Sequence, residues 1–281
     1  MNINNTVMDD IDHYLFEDLG KDGDITSDSL FYDEKAEANI VVKDDCIIAG
    51  LEEIKTVFRK TGAQTELLVK DGDLVEKNTI VAKINGPARA ILKGERLALN
   101  ILGRMSGIAT ETKKLVDICK SINPNVTVAA TRKTTPGFRK FEKRAVEIGG
   151  GEQHRFALYD AVMIKDNHLK LVHSVEEAIK QVKDKVKDKT IEIEVENEKD
   201  ALTAAKLGIY VIMLDNFDPK SGEIVAKKIR EINPDILIEI SGGVNPGNIK
   251  NYASFADRIS LGYLTHSVKS KDCSLEILGN V

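Results

Sequence analysis

The spacing of apolar and polar residues changes character well before the middle of the chain. Segments 6–19, 51–62 and 88–106 have amphipathic helical periodicity, and 37–50 and 65–86 contain short strand-like runs. This mixture predicts a first domain of the α+β kind. The periodicity breaks at the SGIAT segment, 106–110, so we place a domain boundary near residue 108.

From residue 127 onward, strand-like runs alternate regularly with helical ones. Such alternation predicts βαβ units and a parallel sheet. Six strands are too few for a full eight-unit barrel but suffice for a truncated barrel or an open doubly wound sheet. The predicted strands lie in 127–134, 159–168, 190–197, 210–217, 235–244 and 258–267, and the helices between them in 175–186, 198–208 and 221–232.

The strand TIEIEVEN, 190–197, favours the barrel. Its apolar residues point to one face, and three glutamates, Glu192, Glu194 and Glu196, point to the other. A parallel strand covered by helices on both faces is normally apolar on both. Three carboxylates on one face therefore indicate a polar or cation-filled barrel interior.

Composition excludes several classes of protein. The 281 residues carry a net charge of −5, which argues against nonspecific nucleic-acid binding. There is no run of 18 apolar residues, and the N-terminus lacks the pattern of a signal peptide. Three scattered cysteines, Cys46, Cys119 and Cys273, suggest neither a disulfide framework nor a zinc site. We expect a cytoplasmic protein without a membrane partner.

A basic stretch stands out from this acidic chain. Segment 131–144, TRKTTPGFRKFEKR, could be a solvated helix face or could contribute to a pocket for a small, highly charged anion. Its six cations are Arg132, Lys133, Arg139, Lys140, Lys143 and Arg144.

Polar residues follow each predicted barrel strand, at the end where barrel enzymes place their functional groups. Cations after the first two strands would bind anionic groups of a substrate. Carboxylates of the third and fourth would hold a divalent cation or stabilise a positive transition state. Glycine-rich ends of the last two would expose backbone N–H groups to a phosphate. The ensemble suits a phosphorylated, multiply anionic substrate with Mg²⁺.

Two residues remain open to different interpretations. Lys165 could form a Schiff base, as in barrel aldolases, or could be a salt-bridged lysine at a strand end. His154 could be a general acid or base, a ligand-binding group or a packed loop histidine. No Ser-His-Asp or Cys-His arrangement is evident from the spacing.

Nine segments together resemble the quinolinate phosphoribosyltransferase family, in the family's order and over residues 17–267. They are EDLGKDGDITS, ERLALNILGRMSGIAT, TRKTTPGFR, EKRAVEIGGGEQHR, IKDNH, IEIEVEN, MLDNF, ISGGV and SLGYLTHS.

The resemblance implies an α/β fold: an N-terminal α/β sandwich domain followed by an incomplete, six-stranded β/α barrel. We therefore expect domains 1–108 and 109–267, with a C-terminal segment, 268–281, that could pack back on the first. The implied reaction joins quinolinate to 5-phosphoribosyl 1-pyrophosphate (PRPP) with Mg²⁺. It yields nicotinate mononucleotide, pyrophosphate and CO₂ for NAD synthesis.

The resemblance also implies roles for particular residues. The implied catalytic residues are Lys133, Lys165, Glu194 and Asp215, of which Glu194 and Asp215 would contact the metal of Mg-PRPP. The motif register selects Glu194 over Glu192 and Glu196. The implied substrate-binding residues are Arg96, Arg132, Thr134, His154, Arg155, Ser241, Gly242, Gly243, Gly262 and Tyr263.

Arg96 precedes the barrel, so its role implies a homodimer or higher oligomer in which one chain completes the site of another. Two alternatives to this enzyme stay open. One is a barrel lyase that uses Lys165 as a Schiff base. The other is a nucleotide-binding regulator that binds PRPP without turnover.

Overall fold

The structure is a computed structural model that describes residues 3–280, with side chains described for 10–279. Met1, Asn2 and Val281, at the outer ends of the predicted domains, lie outside the described residues. The chain forms two compact units that interleave along the sequence. The first comprises the described parts of Met1–Glu111, Lys140–Gly149 and Val268–Val281, and the second Thr112–Arg139 and Gly150–Ser267. The predicted division at residues 108 and 267 stays a prediction.

The first unit is built on an antiparallel sheet with helices. Its sheet has the strand order β12-β1-β5-β3, and β2 pairs separately with β4. The strands are β1 (Lys35–Val42), β2 (Cys46–Ile47), β3 (Gln64–Leu67), β4 (Leu74–Val75), β5 (Ile80–Pro87) and β12 (Cys273–Asn280). The helices are α1 (Ile3–Leu19), α2 (Ile25–Leu30), α3 (Leu51–Thr61), α5 (Arg139–Ile148) and α4 (Ala88–Lys120), which runs on into the second unit.

Strand β1 shows why this sheet has one buried face. Ala36, Ala38 and Ile40 are at most 2% exposed, whereas Lys35 and Glu37, which alternate with them, are exposed. Period-two alternation of this kind is what a half-buried antiparallel strand requires. The last strand, β12, pairs antiparallel with β1 and so brings the end of the chain into the first sheet.

A partly buried ion-pair network fixes the start of helix α3. Asp71 Oδ1 accepts hydrogen bonds from the backbone N–H groups of Gly50 and Leu51, at distances of 2.9 and 3.0 Å. The other oxygen of Asp71 accepts from Arg144 at 2.9 Å, and Arg144 also pairs with the buried Glu53. The network satisfies backbone donors that a helix N-terminus leaves without intrahelical partners.

Helix α4 continues through the SGIAT segment, where the sequence predicted a break. Gly103 and Gly107 lie within it because another segment of the first unit passes close by. A Cβ atom added at Gly107 would collide with the carbonyl oxygen of Lys269, and one at Gly103 would meet that of Lys271. The glycines therefore serve close packing, which the helix accommodates at some cost in propensity.

The second unit is a parallel sheet whose strands alternate with helices. The strands are β6 (Thr127–Ala129), β7 (Val162–Ile164), β8 (Ile191–Val195), β9 (Val211–Asp215), β10 (Leu237–Ser241) and β11 (Arg258–Ser260). The helices are α6 (Asp166–Val172), α7 (Val175–Lys185), α8 (Glu198–Lys206), α9 (Pro219–Ile232) and α10 (Tyr263–His266), with a 3₁₀ turn at Ile249–Asn251.

The strand order β6-β11-β10-β9-β8-β7 makes this sheet an incomplete barrel, because the first strand lies beside the last. The second edge of β6 forms one parallel bridge, from Ala129 to Glu152. Among the described residues, no pairing joins β6 to β7, so the barrel stays open there. The predictions of six parallel strands and of an N-terminal α/β domain are confirmed.

Helix α9 shows how a helix begins shortly after a strand end. Asp218 caps it by accepting from the N–H groups of Lys220 and Ser221, and Pro219 occupies its first turn. Parallel strands connected in this way bring all their carboxyl ends to one rim. No helix in the described part of the chain is long and apolar enough to cross a membrane.

The packing at Gly107 leads to a stability prediction. In an exposed helix, replacing glycine by alanine normally stabilises by about 1 kcal/mol. At Gly107 the added methyl group meets the backbone of Lys269. We therefore expect Gly107→Ala to lower the free energy of unfolding by about 1–3 kcal/mol. Urea unfolding measures the change.

Asn100→Ala is the matched control for Gly107→Ala, since Asn100 is exposed on the same helix. The free energy of unfolding of Asn100→Ala should equal that of the wild-type protein or be slightly higher. A stabilised Gly107→Ala variant would contradict the close approach of the two backbones.

Candidate active site at the carboxyl ends of the barrel strands

A cavity of about 720 Å³ lies in the second unit at the carboxyl ends of the strands. Parallel strands direct the residues that follow them to this rim, where barrel enzymes place their chemistry. Twelve of the predicted site residues line it: Arg132, Lys133, His154, Arg155, Lys165, Glu194, Asp215, Ser241, Gly242, Gly243, Gly262 and Tyr263.

Positive charge is concentrated where the segments after β6 and before β7 meet. Arg132, Lys133 and Arg155 line the cavity there. Arg155 is anchored by its Nε, which donates to the carbonyl oxygen of Ala157 at 3.1 Å. Burial, followed by repulsion from Arg132, lowers the pKa of Arg155. Three cations in this part of the cavity suit it to an anionic ligand.

A second part of the cavity carries carboxylates. Lys165 Nζ, at the end of β7, donates to Glu194 Oε2 on β8 at 2.5 Å. Asp215 ends β9, and burial followed by repulsion from Glu194 raises the pKa of its carboxyl group. Asn216 Nδ2 donates to Asp215 Oδ2 at 2.6 Å. Two carboxylates that repel one another favour a further cation between them.

The three glutamates of β8 have three different surroundings. Glu194 lines the cavity, Glu196 is exposed, and Glu192 is buried in the barrel interior. There His154 Nε2 lies 3.4 Å from Glu192 Oε2 and 3.1 Å from Glu239 Oε2. Burial alone would lower the pKa of His154, but the hydrogen bonds to these carboxylates raise it to about 9. His154 is therefore an imidazolium at neutral pH.

The same cluster could be read as a metal site, since one ligand atom from each of His154, Glu192 and Glu239 lies within 4.8 Å of the others. Glu239 Oε2, however, also accepts from Arg258 Nη1 at 3.0 Å. At 3.1 and 3.4 Å, His154 Nε2 is within N–H···O reach of both carboxylates, and a protonated Nε2 has no lone pair to offer a metal ion. A charged histidine and an arginine already balance the two carboxylates.

Glycines at the last two strand ends allow close backbone approach. Gly242 and Gly243 follow β10 with φ angles of +78° and +64°. Successive backbone N–H groups in such a turn form an anion-binding concavity. At Gly262, after β11, a Cβ atom would lie 2.8 Å from both Lys133 Cδ and His266 Nε2. A side chain at Gly262 would therefore displace two groups that line the cavity.

Two predicted residues are not among those that line this cavity. Thr134 Oγ1 instead accepts a hydrogen bond from Arg139 Nε at 2.9 Å. Arg96 is exposed on helix α4 and belongs to the other compact unit. Its implied role in the site stays a prediction.

The cations of the basic stretch lie in two different environments. Only Arg132 and Lys133 of its six cations line the cavity. The four cations that follow Gly137 are not among the residues that line it. Lys143 is fully buried, and Arg144 pairs with Glu53 and Asp71 inside the first unit. Helix α5 therefore uses its cations in packing.

Sequence reasoning gave no role to several residues that line the cavity or support it. Asn216 and His266 line the cavity and lie in the segments MLDNF and SLGYLTHS. Their position beside a strand end was the feature of the sequence that could have identified them as site residues. Glu239 and Arg258 support His154 from β10 and β11. Glu239 does alternate with apolar residues in LIEIS, as the glutamates of β8 do.

Family models match both parts of the chain. Residues 24–106 match "Quinolinate phosphoribosyl transferase, N-terminal domain", and residues 108–276 match the C-terminal domain of the same family.

Curated relatives and solved structures agree with this match. A probable nicotinate-nucleotide pyrophosphorylase (carboxylating) of Archaeoglobus fulgidus is 44% identical over 262 residues, which is 91% of this chain and 98% of that protein. A similarly named protein of Bacillus subtilis is 41% identical over 95% of this chain and 92% of its own length. The structure of the nicotinate-nucleotide pyrophosphorylase from Francisella tularensis superposes with a TM-score of 0.91 at 31% identity, covering 99% of this chain and 98% of that one. The resemblance seen in the sequence is confirmed.

The two adjacent glycines after β10 provide a matched pair of variants. Both have positive φ, so alanine at either position carries a similar conformational cost. Only at Gly242 would the Cβ atom also lie 2.7 Å from the backbone nitrogen of Asn216; nothing lies within 4 Å at Gly243. We expect Gly242→Ala to be less stable than Gly243→Ala by about 1–3 kcal/mol in urea unfolding. Equal stability of the two variants would contradict the described turn.

Proposed function

The chain belongs to the quinolinate phosphoribosyltransferase family, and from that membership we propose that it transfers the phosphoribosyl group of PRPP to quinolinate. The products are nicotinate mononucleotide for NAD synthesis, pyrophosphate and CO₂. The observation that carries the proposal is the division of the cavity's charge. Cations from Arg132, Lys133 and Arg155 lie in one part, and a Lys165–Glu194–Asp215 group lies in the other.

The cationic part suits quinolinate, a planar dicarboxylate. Arginine side chains bind carboxylates through paired hydrogen bonds, and lysine contributes a compact charge. We assign Arg132 and Arg155 to the two carboxylates of the substrate, with His154 as a third cation. Lys133 lies beside them, and its carbonyl oxygen accepts from Thr265 at 2.7 Å, which fixes the backbone beneath it.

The acidic part suits the ribosyl and pyrophosphate groups of Mg-PRPP. Burial, followed by repulsion from Glu194, raises the pKa of Asp215, and the oxygen atoms of both carboxylates are ligands that Mg²⁺ prefers. These two carboxylates would therefore hold the ion, which would neutralise charge on the leaving pyrophosphate. Glu194 also places negative charge near the ribose carbon, where positive charge develops as the bond to pyrophosphate breaks.

The direction of bond changes follows from the two substrates. The pyridine nitrogen attacks the ribose C1 and the pyrophosphate leaves. The ring nitrogen then carries positive charge and stabilises the electron pair left on the adjacent ring carbon when its carboxylate departs as CO₂. A proton takes the place of that carboxylate. We assign Lys133 to the quinolinate side of this step and Lys165 to the PRPP side.

The glycine-rich turns suit the 5-phosphate of PRPP. Ser241, Gly242 and Gly243 would present backbone N–H groups, and Gly262 and Tyr263 face the same cavity. Phosphate sites after the last two strands are common in barrel enzymes, which supports this assignment.

The Lys165–Glu194 ion pair argues against a Schiff-base lyase. A Schiff base requires an amine that is free to approach a carbonyl carbon, whereas Lys165 Nζ is held 2.5 Å from a carboxylate oxygen. We also propose a cytoplasmic location. Its support is that Cys46 and Cys119 are free and buried, as in proteins of reducing compartments.

We further propose a homodimer or larger oligomer in which Arg96 serves the cavity of a second chain. The support is that Arg96 is exposed on α4 and that the family motif containing it, ERLALN, belongs to the substrate site in the resemblance. A second subunit would then add a cation to the quinolinate side.

The first functional prediction concerns substrate choice. With Mg²⁺ and PRPP, we expect the protein to convert quinolinate to nicotinate mononucleotide and to prefer it to nicotinate. Nicotinate lacks one carboxylate and leaves a cation of the site unpaired. That costs roughly 1–3 kcal/mol, or about 5- to 150-fold in kcat/KM. Product formation measured by chromatography tests this.

Arg155→Ala should lower the ratio of kcat/KM for quinolinate to kcat/KM for nicotinate, because it removes a cation from the quinolinate side of the cavity. Lys228→Ala is the control: Lys228 pairs with Glu198 and does not line the cavity. Equal turnover of quinolinate and nicotinate by the wild-type protein would rule out the proposed substrate.

The second functional prediction concerns the shared site. Arg96→Ala and Lys165→Ala should each be nearly inactive. In a mixed dimer of the two variants, one site combines the intact Lys165 of one chain with the intact Arg96 of the other. Co-refolding should restore up to about half of the wild-type activity per mixed dimer, since two-fold symmetry leaves one of two sites complete.

Lys165→Ala co-refolded with Asp215→Asn is the matched control. Both residues line the same cavity of one chain, so no mixed dimer has a complete site and no activity should return. Verified mixed dimers of the Arg96 and Lys165 variants without activity would show that Arg96 is not shared.

A further inference from the structure

Two carboxylates are buried inside the barrel without lining the cavity. Glu239 is fully buried on β10, and Glu192 is 5% exposed on β8. Neither lies among the residues that line the cavity. Both approach the same nitrogen atom, Nε2 of His154, from different strands. Burying two carboxylates is costly unless each has a partner, so their convergence on His154 needs a reason.

His154 is held in place from its backbone as well as from its ring. Its φ angle is +55°, a conformation that few residues other than glycine adopt. Two residues earlier, the backbone of Glu152 pairs with β6, because Glu152 N donates to Val128 O at 2.8 Å and Glu152 O accepts from Ala130 N at 2.9 Å. The loop therefore turns directly after this bridge and directs the His154 ring into the barrel, where it borders the cavity.

We propose that Glu239, together with Glu192, is a positioning residue for His154: the two carboxylates keep its imidazole protonated and oriented, so that His154 presents a fixed cation to a substrate carboxylate. The part that concerns quinolinate rests on the proposed function. The part that concerns the charge and orientation of His154 rests on the cluster alone.

Arg258 makes this arrangement electrostatically possible. Its Nη1 donates to Glu239 Oε2 at 3.0 Å, on the same oxygen atom that faces His154. Its Nε and Nη2 contact the two oxygens of Glu152 at 3.0 and 2.8 Å. Glu239 is thus fixed from both sides, by Arg258 on β11 and by His154. Arg155 and Arg132 line the cavity, where an anionic ligand would offset the repulsion between them.

The sign of the pH dependence follows from these contacts. Hydrogen bonds to Glu192 and Glu239 raise the pKa of His154 to about 9 against the effect of burial. His154 therefore loses its proton, and its attraction for a carboxylate, only as the pH rises through about 9. Removal of one carboxylate lowers that midpoint, so affinity for the anionic substrate should fall at a lower pH.

The test compares two Glu→Gln variants: one replaces a carboxylate that contacts His154, and the other replaces a carboxylate that does not. Glu239→Gln removes a carboxylate that touches His154. Glu152→Gln removes one that contacts Arg258 without contacting His154, and it leaves the backbone bridge to β6 intact. The first readout is the titration of the His154 ring, followed by NMR of histidine-labelled protein and assigned by the signal missing in His154→Gln. This readout requires neither substrate nor turnover.

We expect the wild-type midpoint well above the ordinary value of about 6.5. Glu239→Gln should lower it by about 1–2 pH units, and Glu152→Gln should change it much less. Glu239→Asp keeps the negative charge, so its midpoint should lie between that of Glu239→Gln and that of the wild-type protein. A wild-type midpoint near the ordinary value, or equal shifts in Glu239→Gln and Glu152→Gln, would overturn the proposal.

The second readout is kinetic. At pH 8.5, Glu239→Gln should raise KM for quinolinate by about 10-fold, following the loss of protonated His154, with KM for PRPP and kcat nearly unchanged. An equal rise in both KM values would indicate a merely structural role and overturn the proposal. A wild-type protein inactive with quinolinate would instead refute the proposed function, while the NMR titration would still decide the role of Glu239.

Thermal unfolding verifies that each variant is folded. Should Glu239→Gln fail to fold, Glu192→Gln removes the other carboxylate that contacts His154 and is expected to lower the same NMR midpoint. An unchanged midpoint in Glu192→Gln would then overturn the proposal.

Discussion

Two carboxylates buried inside a parallel sheet, Glu192 and Glu239, impose a requirement for matching positive charge on the barrel. Partial pairing is not sufficient, because removing one partner of a buried ion pair typically costs about 3–5 kcal/mol. The barrel meets the requirement with His154 from a loop and Arg258 from the last strand. The loop that carries His154 must therefore follow a defined path, which the bridge between Ala129 and Glu152 provides.

This compensation links the interior of the barrel to the cavity above it. His154 belongs to both, since it pairs with the buried carboxylates and also lines the cavity. The cations Arg132 and Arg155 line the cavity with it, while Glu194 and Asp215 lie on neighbouring strands with Lys165. A site with separated regions of opposite charge can bind a dicarboxylate and a metal-bound pyrophosphate without placing like charges together.

The first unit uses its charges differently. Arg144 pairs with Glu53 and Asp71, and Arg104 pairs with the fully buried Glu142 at 2.8 Å. These pairs attach helix α5 to elements more than thirty residues away in the sequence. Cations that look alike in one short basic stretch thus serve packing in the first unit and line the cavity in the second.

The sequence by itself determined the order and kind of most elements. Periodicity of two or 3.6 residues depends only on local geometry, so the six parallel strands and helices such as α3 were readable from it. Arg132, Lys133, Lys165, Glu194, Asp215 and the glycine-rich turns could also be placed on one rim, because the carboxyl ends of parallel strands must meet there. His154 and Arg155 were assigned to the site only by the family resemblance.

Only the tertiary structure decided how the charges pair. Helix α4 continues through 106–110 because its glycines admit a backbone from the end of the chain, which no local pattern announces. His154 and Glu239 are in contact although they lie 85 residues apart in the sequence. Glu192 and Glu194 lie on the same strand, and their different roles follow from their different depths in the barrel. Charge compensation depends on distances between residues far apart in the chain. Those distances are set by packing, not by the spacing of residue types.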